Sequence, residues 1–383
     1  MIQIIGIGII GFLLFSLQQK IYQKLWNKNL TATIHFASSG IFEGQKGQLK
    51  EVIENRKRLP LSMVKVKFQT DRHLLFDTGN GSRTTDLYYR NDIFQMNGME
   101  KLTRTISFIG GQRGYYSICS MDLVSTDLFM TRQFVETMPV HTTLYVYPRP
   151  FDSREFRHSL QQLNGEVLTR RHLLEDPFEY RGIREYQPTD DMRSINWKAT
   201  AKTGDFKVNQ KNYTALQAIR IYMNLQDDGI LKKEEGVEAS IRIAAGLCEF
   251  FLGQGIRVSC YGNGCDMLHA HPMSIEASSG KGQMESIYKS LARIDTSKPV
   301  CDFTASFGKR LLEEAKGTIT CFVAPNHYPD FLKLLEQYDS MGSEYIWFYP
   351  LVESHEPELP AFLKRKVRFL PVREMNLQGM IQL

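Results

Sequence analysis

The residues best equipped for chemistry in this 383-residue chain lie at 180–210, YRGIREYQPTDDMRSINWKATAKTGDFKVNQ. Seven bases (Arg181, Arg184, Arg193, Lys198, Lys202, Lys207 and, just beyond, Lys211) face four acids (Glu185, Asp190, Asp191, Asp205). Two neighbouring carboxylates such as Asp190 and Asp191 can push one pKa up and so move a proton. Adjacent side chains in a turn usually point apart, however, and no histidine stands nearby in sequence. The pair therefore reads as structural. Arg184 and Arg193 carry planar forks suited to bidentate pairing with either acid. Pro188 fixes φ ahead of Thr189-Asp190-Asp191, where an Asp caps the amides of a following short helix. Lys202-Thr203-Gly204-Asp205 is a second turn, leading into an expected strand at 206–208. The expectation is a paired charge network, with Glu185 and Tyr186 beside it, buried around Trp197.

Other catalytic patterns are absent from the sequence. It has no phosphate-binding G-x-x-x-x-G-K-[ST], no H-E-x-x-H and no G-x-S-x-G. His269 and His271 share an HAHP stretch without a carboxylate at metal-ligand spacing. Six cysteines are scattered without a C-x-x-C pair, and most sit in apolar runs. They read as free thiols behaving as small hydrophobes in a reducing compartment. A net charge of +5 is small for this length and argues against nucleic acid as a partner.

The elements that must position these residues begin with an apolar run at 2–17, IQIIGIGIIGFLLFSL. Sixteen helical residues span roughly 24 Å, a little short of the ~30 Å hydrocarbon layer. Ile21, Tyr22, Leu25 and Trp26 extend it, with rings suited to the membrane interface. Lys20, Lys24 and Lys28 follow, so the positive-inside rule places the remainder in the cytoplasm. The run lacks a basic leader and a small-x-small cleavage site, which favours an uncleaved single-pass anchor. From residue 30 to about 148, apolar–polar alternation at 31–36, 64–68, 103–108 and 144–147 predicts strands. Turn signals at Gly44, Gly47, Asn80-Gly81, Asn97-Gly98 and Gly110-Gly111 separate them, as in a small β-sandwich. From about residue 218 the period changes. Strands are expected at 219–223, 256–261, 318–323, 345–349 and 367–370. Helices are expected along the stripe Val237, Ile241, Ala244, Cys248, Phe251 and at 283–294, 303–315 and 330–338. Such alternation argues for a mostly parallel sheet with helices on both faces, a Rossmann-like α/β domain.

The spacing R-E-Y-x-P-x-D-D-x-R-x-I-x-W-K-A-x-A-K-x-G-x-x-x-V, from Arg184 to Val208, resembles the signature of the DUF58 family of bacterial and archaeal proteins. Phe42-Glu43-Gly44 and the stretch from Glu54 to Pro60 also fit the opening of that family's β-domain. The chain departs from the family in showing one apolar N-terminal helix where members often have two, and Thr189 where many have Gly. The resemblance implies an α+β multi-domain chain: anchor and juxtamembrane helix at 1–28, β-sandwich-like domain at 29–150, signature segment at 151–213, and a von Willebrand factor type A-like domain at 214–383. Such domains often hold Mg²⁺ with D-x-S-x-S after the first strand, a Thr from a second loop and an Asp from a third. Here Asn224, Gln226 and Asp228 stand at the first positions and Thr304 at the second. The third strand ends Val323-Ala324-Pro325-Asn326 without the Asp. Neutral amides lack the charge that offsets a cation's dehydration, so the site is expected to be degenerate, with no metal and no cofactor.

The resemblance further implies a non-catalytic scaffold working with a MoxR-type AAA+ ATPase and other von Willebrand A-domain proteins in assembly or maturation of complexes at the membrane. The partner-binding or interdomain residues would be Arg184, Glu185, Tyr186, Pro188, Asp190, Asp191, Arg193, Trp197, Lys198, Lys202 and Gly204. The competing expectation is a hydrolase that uses Asp190 and Asp191 on an envelope precursor.

Overall fold

A computed structural model describes residues 2–76, 82–84, 87–173, 175–188, 190–213, 218–227, 234–269, 271–313, 318–352 and 356–372. The turn signal at Asn80-Gly81 and the site residue Asp228 fall outside them. The chain forms two compact units, one built on Met1–Arg149 and the other on Pro150–Ser290 with Ile294–Glu374.

In the first unit, helix α1 (Ile2–Leu25) precedes ten strands: β1 (Leu30–Phe36), β2 (Gly40–Phe42), β3 (Lys46–Asn55), β4 (Leu61–Asp71), β5 (Leu74–Phe76), β6 (Ser82–Thr84), β7 (Leu87–Met96), β8 (Glu100–Gly110), β9 (Gly114–Thr126) and β10 (Gln133–Tyr147). They form two sheets, β1-β3-β8-β5 and β2-β10-β9-β4-β7-β6, antiparallel throughout except where β2 runs parallel to β10. Alternate residues of both sheets point into one core. Leu49 and Ile53 of β3, Val64 and Val66 of β4, and Leu144 and Val146 of β10 are all essentially without solvent. That is a β-sandwich, and each strand's wet face explains the polar half of the alternation. Gly47 proves to be a strand residue, not a turn. The Phe108 ring lies 2.4 Å from where its Cβ would be, so only Gly fits there.

α1 is long and apolar enough to cross a membrane. Its last turn departs from expectation. Tyr22 and Trp26 do not lie free for an interface; both are buried in the sandwich core. The Tyr22 hydroxyl donates to the Pro60 carbonyl (3.0 Å), and Trp26 stacks on Phe134 with centroids 6.1 Å apart. Lys57 Nζ donates to the Trp26 carbonyl (2.6 Å), satisfying an orphan acceptor at the helix end. Asn55, also buried, donates to the carbonyls of Leu59 (3.1 Å) and Asn97 (2.8 Å), which fixes the segment carrying Lys57.

The second unit contains α2 (Arg154–Leu173), β11 (Glu175–Glu185), α3 (Trp197–Thr203), β12 (Lys207–Tyr213), β13 (Ile219–Met223), α4 (Glu234–Gly253), β14 (Val258–Asp266), β15 (Pro272–Ser278), α5 (Lys281–Arg293), β16 (Ile294–Asp295), α6 (Phe303–Glu313), β17 (Ile319–Val323), α7 (Pro329–Ser340), β18 (Tyr345–Leu351) and β19 (Val367–Pro371). Its main sheet has the order β15-β14-β13-β17-β18-β19. Five of these strands are mutually parallel and β15 runs against β14. Successive residues of β18 serve opposite faces: Trp347 packs edge-on against Phe331 of α7, and Phe348 against Phe156 of α2. Helices therefore cover both sides, and the central strands need no polar face.

Candidate functional site

The signature segment folds as a small module on a two-stranded antiparallel ribbon. β11 pairs with β12 so that Ile183 stands opposite Asn209, Arg184 opposite Val208 and Glu185 opposite Lys207. The Arg184 fork grips Asp190 with both nitrogens, Nη2 to Oδ1 at 2.6 Å and Nη1 to Oδ2 at 2.7 Å. The Gln187 amide donates to the same Oδ2 at 2.8 Å, closing the turn around Pro188. Arg184 first, and then this amide, hold the Asp190 carboxyl below the usual carboxylate range. Asp191 instead faces forward. It caps the 3₁₀ turn Met192–Ser194 by accepting from the Arg193 amide (3.0 Å).

Asn196 then caps α3 by accepting from the Ala199 amide (2.9 Å), and its amide group donates to Asn209 Oδ1 on β12 (2.7 Å). Gly204, at φ +81°, ends α3 in the left-handed region, where Gly avoids a Cβ clash. Lys207 returns to the ribbon and pairs with Glu185 (3.1 Å). Ile195 and Val208, facing each other in an isolated bridge, are the buried centre of the module.

Trp197 is not the buried hub that its charged neighbours suggested. As the first residue of α3 it stands 62% exposed, because Ile195 and Val208 already fill the module's small interior. Its ring meets Phe206 edge-on (6.5 Å), and the Tyr186 ring also lies against Phe206 (6.0 Å). Phe206, Met192 and Ile183 are each more than half exposed as well. Arg193, Lys198 and Lys202, close to Trp197 in sequence, are exposed too, the last two at helical i,i+4 spacing. Exposed aromatic rings and exposed charges thus share one short segment whose backbone is clamped by the Arg184–Asp190 pair.

The second candidate lies at the carboxyl ends of the parallel strands. β13 has β14 on one side and β17 on the other, so the order in which successive strands are added reverses there. Three asparagines stand at this switch point: Asn224 after β13, Asn263 within β14 and Asn326 after β17, all buried. Asn263 Nδ2 donates to Asn224 Oδ1 (3.2 Å) and to the Cys301 carbonyl (2.9 Å), while its Oδ1 accepts from the Leu225 amide (2.8 Å). Asn224 Oδ1 also accepts from the Gln226 amide (3.2 Å), and Asn326 Nδ2 donates to the Gln226 carbonyl (2.7 Å). The loops that would ligate a cation are thus tied by neutral amides. Among the described residues, no hydrogen bond joins Thr304 to this knot, and no cluster of three or more His, Cys, Asp or Glu could hold a metal. Asn224, Gln226 and Asn326 are legible from the sequence as replacements at strand ends, whereas the only signal of Asn263 is an asparagine inside a strand.

The chain matches no family model and no curated protein. Among solved structures, it is similar to the CARDB domain of the PF1109 protein from Pyrococcus furiosus, with 14% identity over 30% of this chain and 93% of that one, TM-score 0.20. A non-cellulosomal cohesin from Archaeoglobus fulgidus gives 13% identity over 34% of this chain and 97% of that one, TM-score 0.21.

Proposed function

We propose that the chain is a DUF58-type adaptor: non-catalytic, anchored by α1 with its bulk in the cytoplasm, and recognising another protein through the Trp197 face. The partner proposed is a MoxR-type AAA+ ATPase, with which it would assemble or mature complexes at the membrane. In this reading the second unit is a von Willebrand A-like, Rossmann-like domain whose metal position is occupied by the Asn224–Asn263–Asn326 knot.

The observation that carries the reading is the solvent-facing Trp197–Phe206–Tyr186 cluster on a backbone pinned by Arg184 and Asp190. Leaving such rings in water costs free energy that burial against a partner recovers. The acids favour this over hydrolysis. Both Asp190 oxygens are engaged by cationic or amide donors, and a carboxyl held at depressed pKa is poorly poised as a general acid.

The test is crosslinking in intact cells followed by extraction of the full-length protein. An AAA+ ATPase is expected to co-purify with the wild type and to be lost from a Trp197→Ser, Phe206→Ser variant that retains its fold. A variant that keeps the ATPase, or a wild type that never holds one, overturns the proposal.

A further inference from the structure

At the turn between β9 and β10, three consecutive large apolar side chains face outward: Leu128 (49% exposed), Phe129 (60%) and Met130 (59%). The turn is built to hold them there. Asp127, immediately before them, is fully buried and accepts from the Thr131 amide (2.6 Å), the Thr131 hydroxyl (2.6 Å) and the Arg132 amide (2.9 Å). Met130 sits at φ +56°, a left-handed conformation costly for a side chain with a Cβ, and its amide donates to the Asp127 carbonyl (3.0 Å). Gly or Asn would relieve this conformation, yet a large apolar residue occupies it.

The same turn is tied to α1. Gln18 Nε2 donates to Asp127 Oδ2 (3.0 Å), Gln19 Nε2 donates to Thr131 Oγ1 (3.0 Å), and the Phe129 ring lies 5.7 Å from that of Phe15. Phe15 belongs to the uninterrupted apolar run, while Gln18, Tyr22 and Trp26 are committed to the protein. The glutamines thus mark where protein takes over from lipid, and the tip beyond them lies level with a residue of the spanning segment.

We propose that this hairpin tip is a second membrane contact, with Leu128, Phe129 and Met130 inserted beside α1 into the acyl region next to the interface. It would complete the grip of a helix whose purely apolar run is short for a bilayer and fix how the sandwich stands on the membrane. The inference goes beyond the adaptor reading but rests on α1 spanning a bilayer.

It is tested with the full chain in phosphatidylcholine vesicles, in a background where Cys119, Cys265 and Cys301 are serine. An environment-sensitive fluorophore is placed by Phe129→Cys, by Phe12→Cys within the helix, and by Met99→Cys. Met99 is held against Lys57, which reaches Trp26, eleven residues and roughly 16 Å of helix rise past Phe15. Nitroxide-labelled lipid is expected to quench the Phe129 and Phe12 probes, both blue-shifted, and to leave the Met99 probe unquenched. Quenching at Phe12 without Phe129 overturns the inference and leaves the anchor intact. Quenching at neither overturns both. Equal quenching at all three means general adsorption and also overturns the inserted tip.

Discussion

Asn263→Leu tests whether the amide knot holds the parallel strands together. The replacement keeps the number and branching of the side-chain heavy atoms and removes three hydrogen bonds at once: to the Leu225 amide, the Cys301 carbonyl and Asn224 Oδ1. Asn224 Oδ1 keeps the Gln226 amide, so its loss is small. The Leu225 amide belongs to a residue only 1% exposed and has no water to turn to. The Cys301 carbonyl belongs to a half-buried residue and recovers part of its loss from solvent. A buried group left unpaired costs roughly 1–3 kcal/mol, so one full and one partial loss give about 2–4 kcal/mol. Trp347, fully buried beside β17, reports unfolding of this unit by fluorescence. With a urea slope of about 2–3 kcal/mol/M, the midpoint should fall by about 1 M at unchanged slope. A midpoint equal to that of the wild type would refute the knot as a structural tie.

Asn224→Asp puts a carboxylate among the same amides, and the unit should be less stable at neutral pH whether or not excess Mg²⁺ is present. Recovery of the lost stability by Mg²⁺ would show instead a cation site one charge short of working. Lys57 is expected to titrate at about 8, lowered from 10.5 because burial disfavours its ammonium. Between those values the unfolded chain binds the extra proton, so stability should rise with pH across that window. Lysine-methyl NMR showing every midpoint near 10.5 would contradict this. Burial pushes Asp127 up, but the hydrogen bonds from Thr131, Arg132 and Gln18 outweigh it and bring its carboxyl down to about 2, from 3.8. Its contribution is complete above about pH 4 and is lost as pH falls towards 2. Acid unfolding of Asp127→Asn should show a flatter pH dependence in that window than the wild type, and parallel curves would count against it.

What the sequence made legible follows from which interactions are local. β1, β4, β8 and β10 announce themselves because one face is wet, and α4 because its stripe repeats every three or four residues. The buried strands β13, β17 and β18 stand out as short apolar runs. α2 does not stand out in the sequence although Phe156, Leu160, Leu163 and Val167 recur at four-three-four spacing and are all buried. Its charged and polar majority hid the stripe. α3 is too short for any periodicity, and only Asn196 before it and Gly204 after it mark it.

Long-range partners were the hardest to see. Asn263 lies 39 residues from Asn224, and Asn326 lies 102 from it, so nothing local ties them together. Pattern also gives a residue's type without its direction. For that reason Trp197 was expected inside and Tyr22 and Trp26 outside, when the available cavities dictate the reverse.

The Trp197 face is tested most directly by the dissociation constant between full-length protein in lipid nanodiscs and the AAA+ ATPase proposed as its partner. Trp197→Ala should weaken binding by at least about thirtyfold, the 2 kcal/mol of a central aromatic anchor, with unchanged thermal unfolding. An unchanged dissociation constant would contradict recognition through this face.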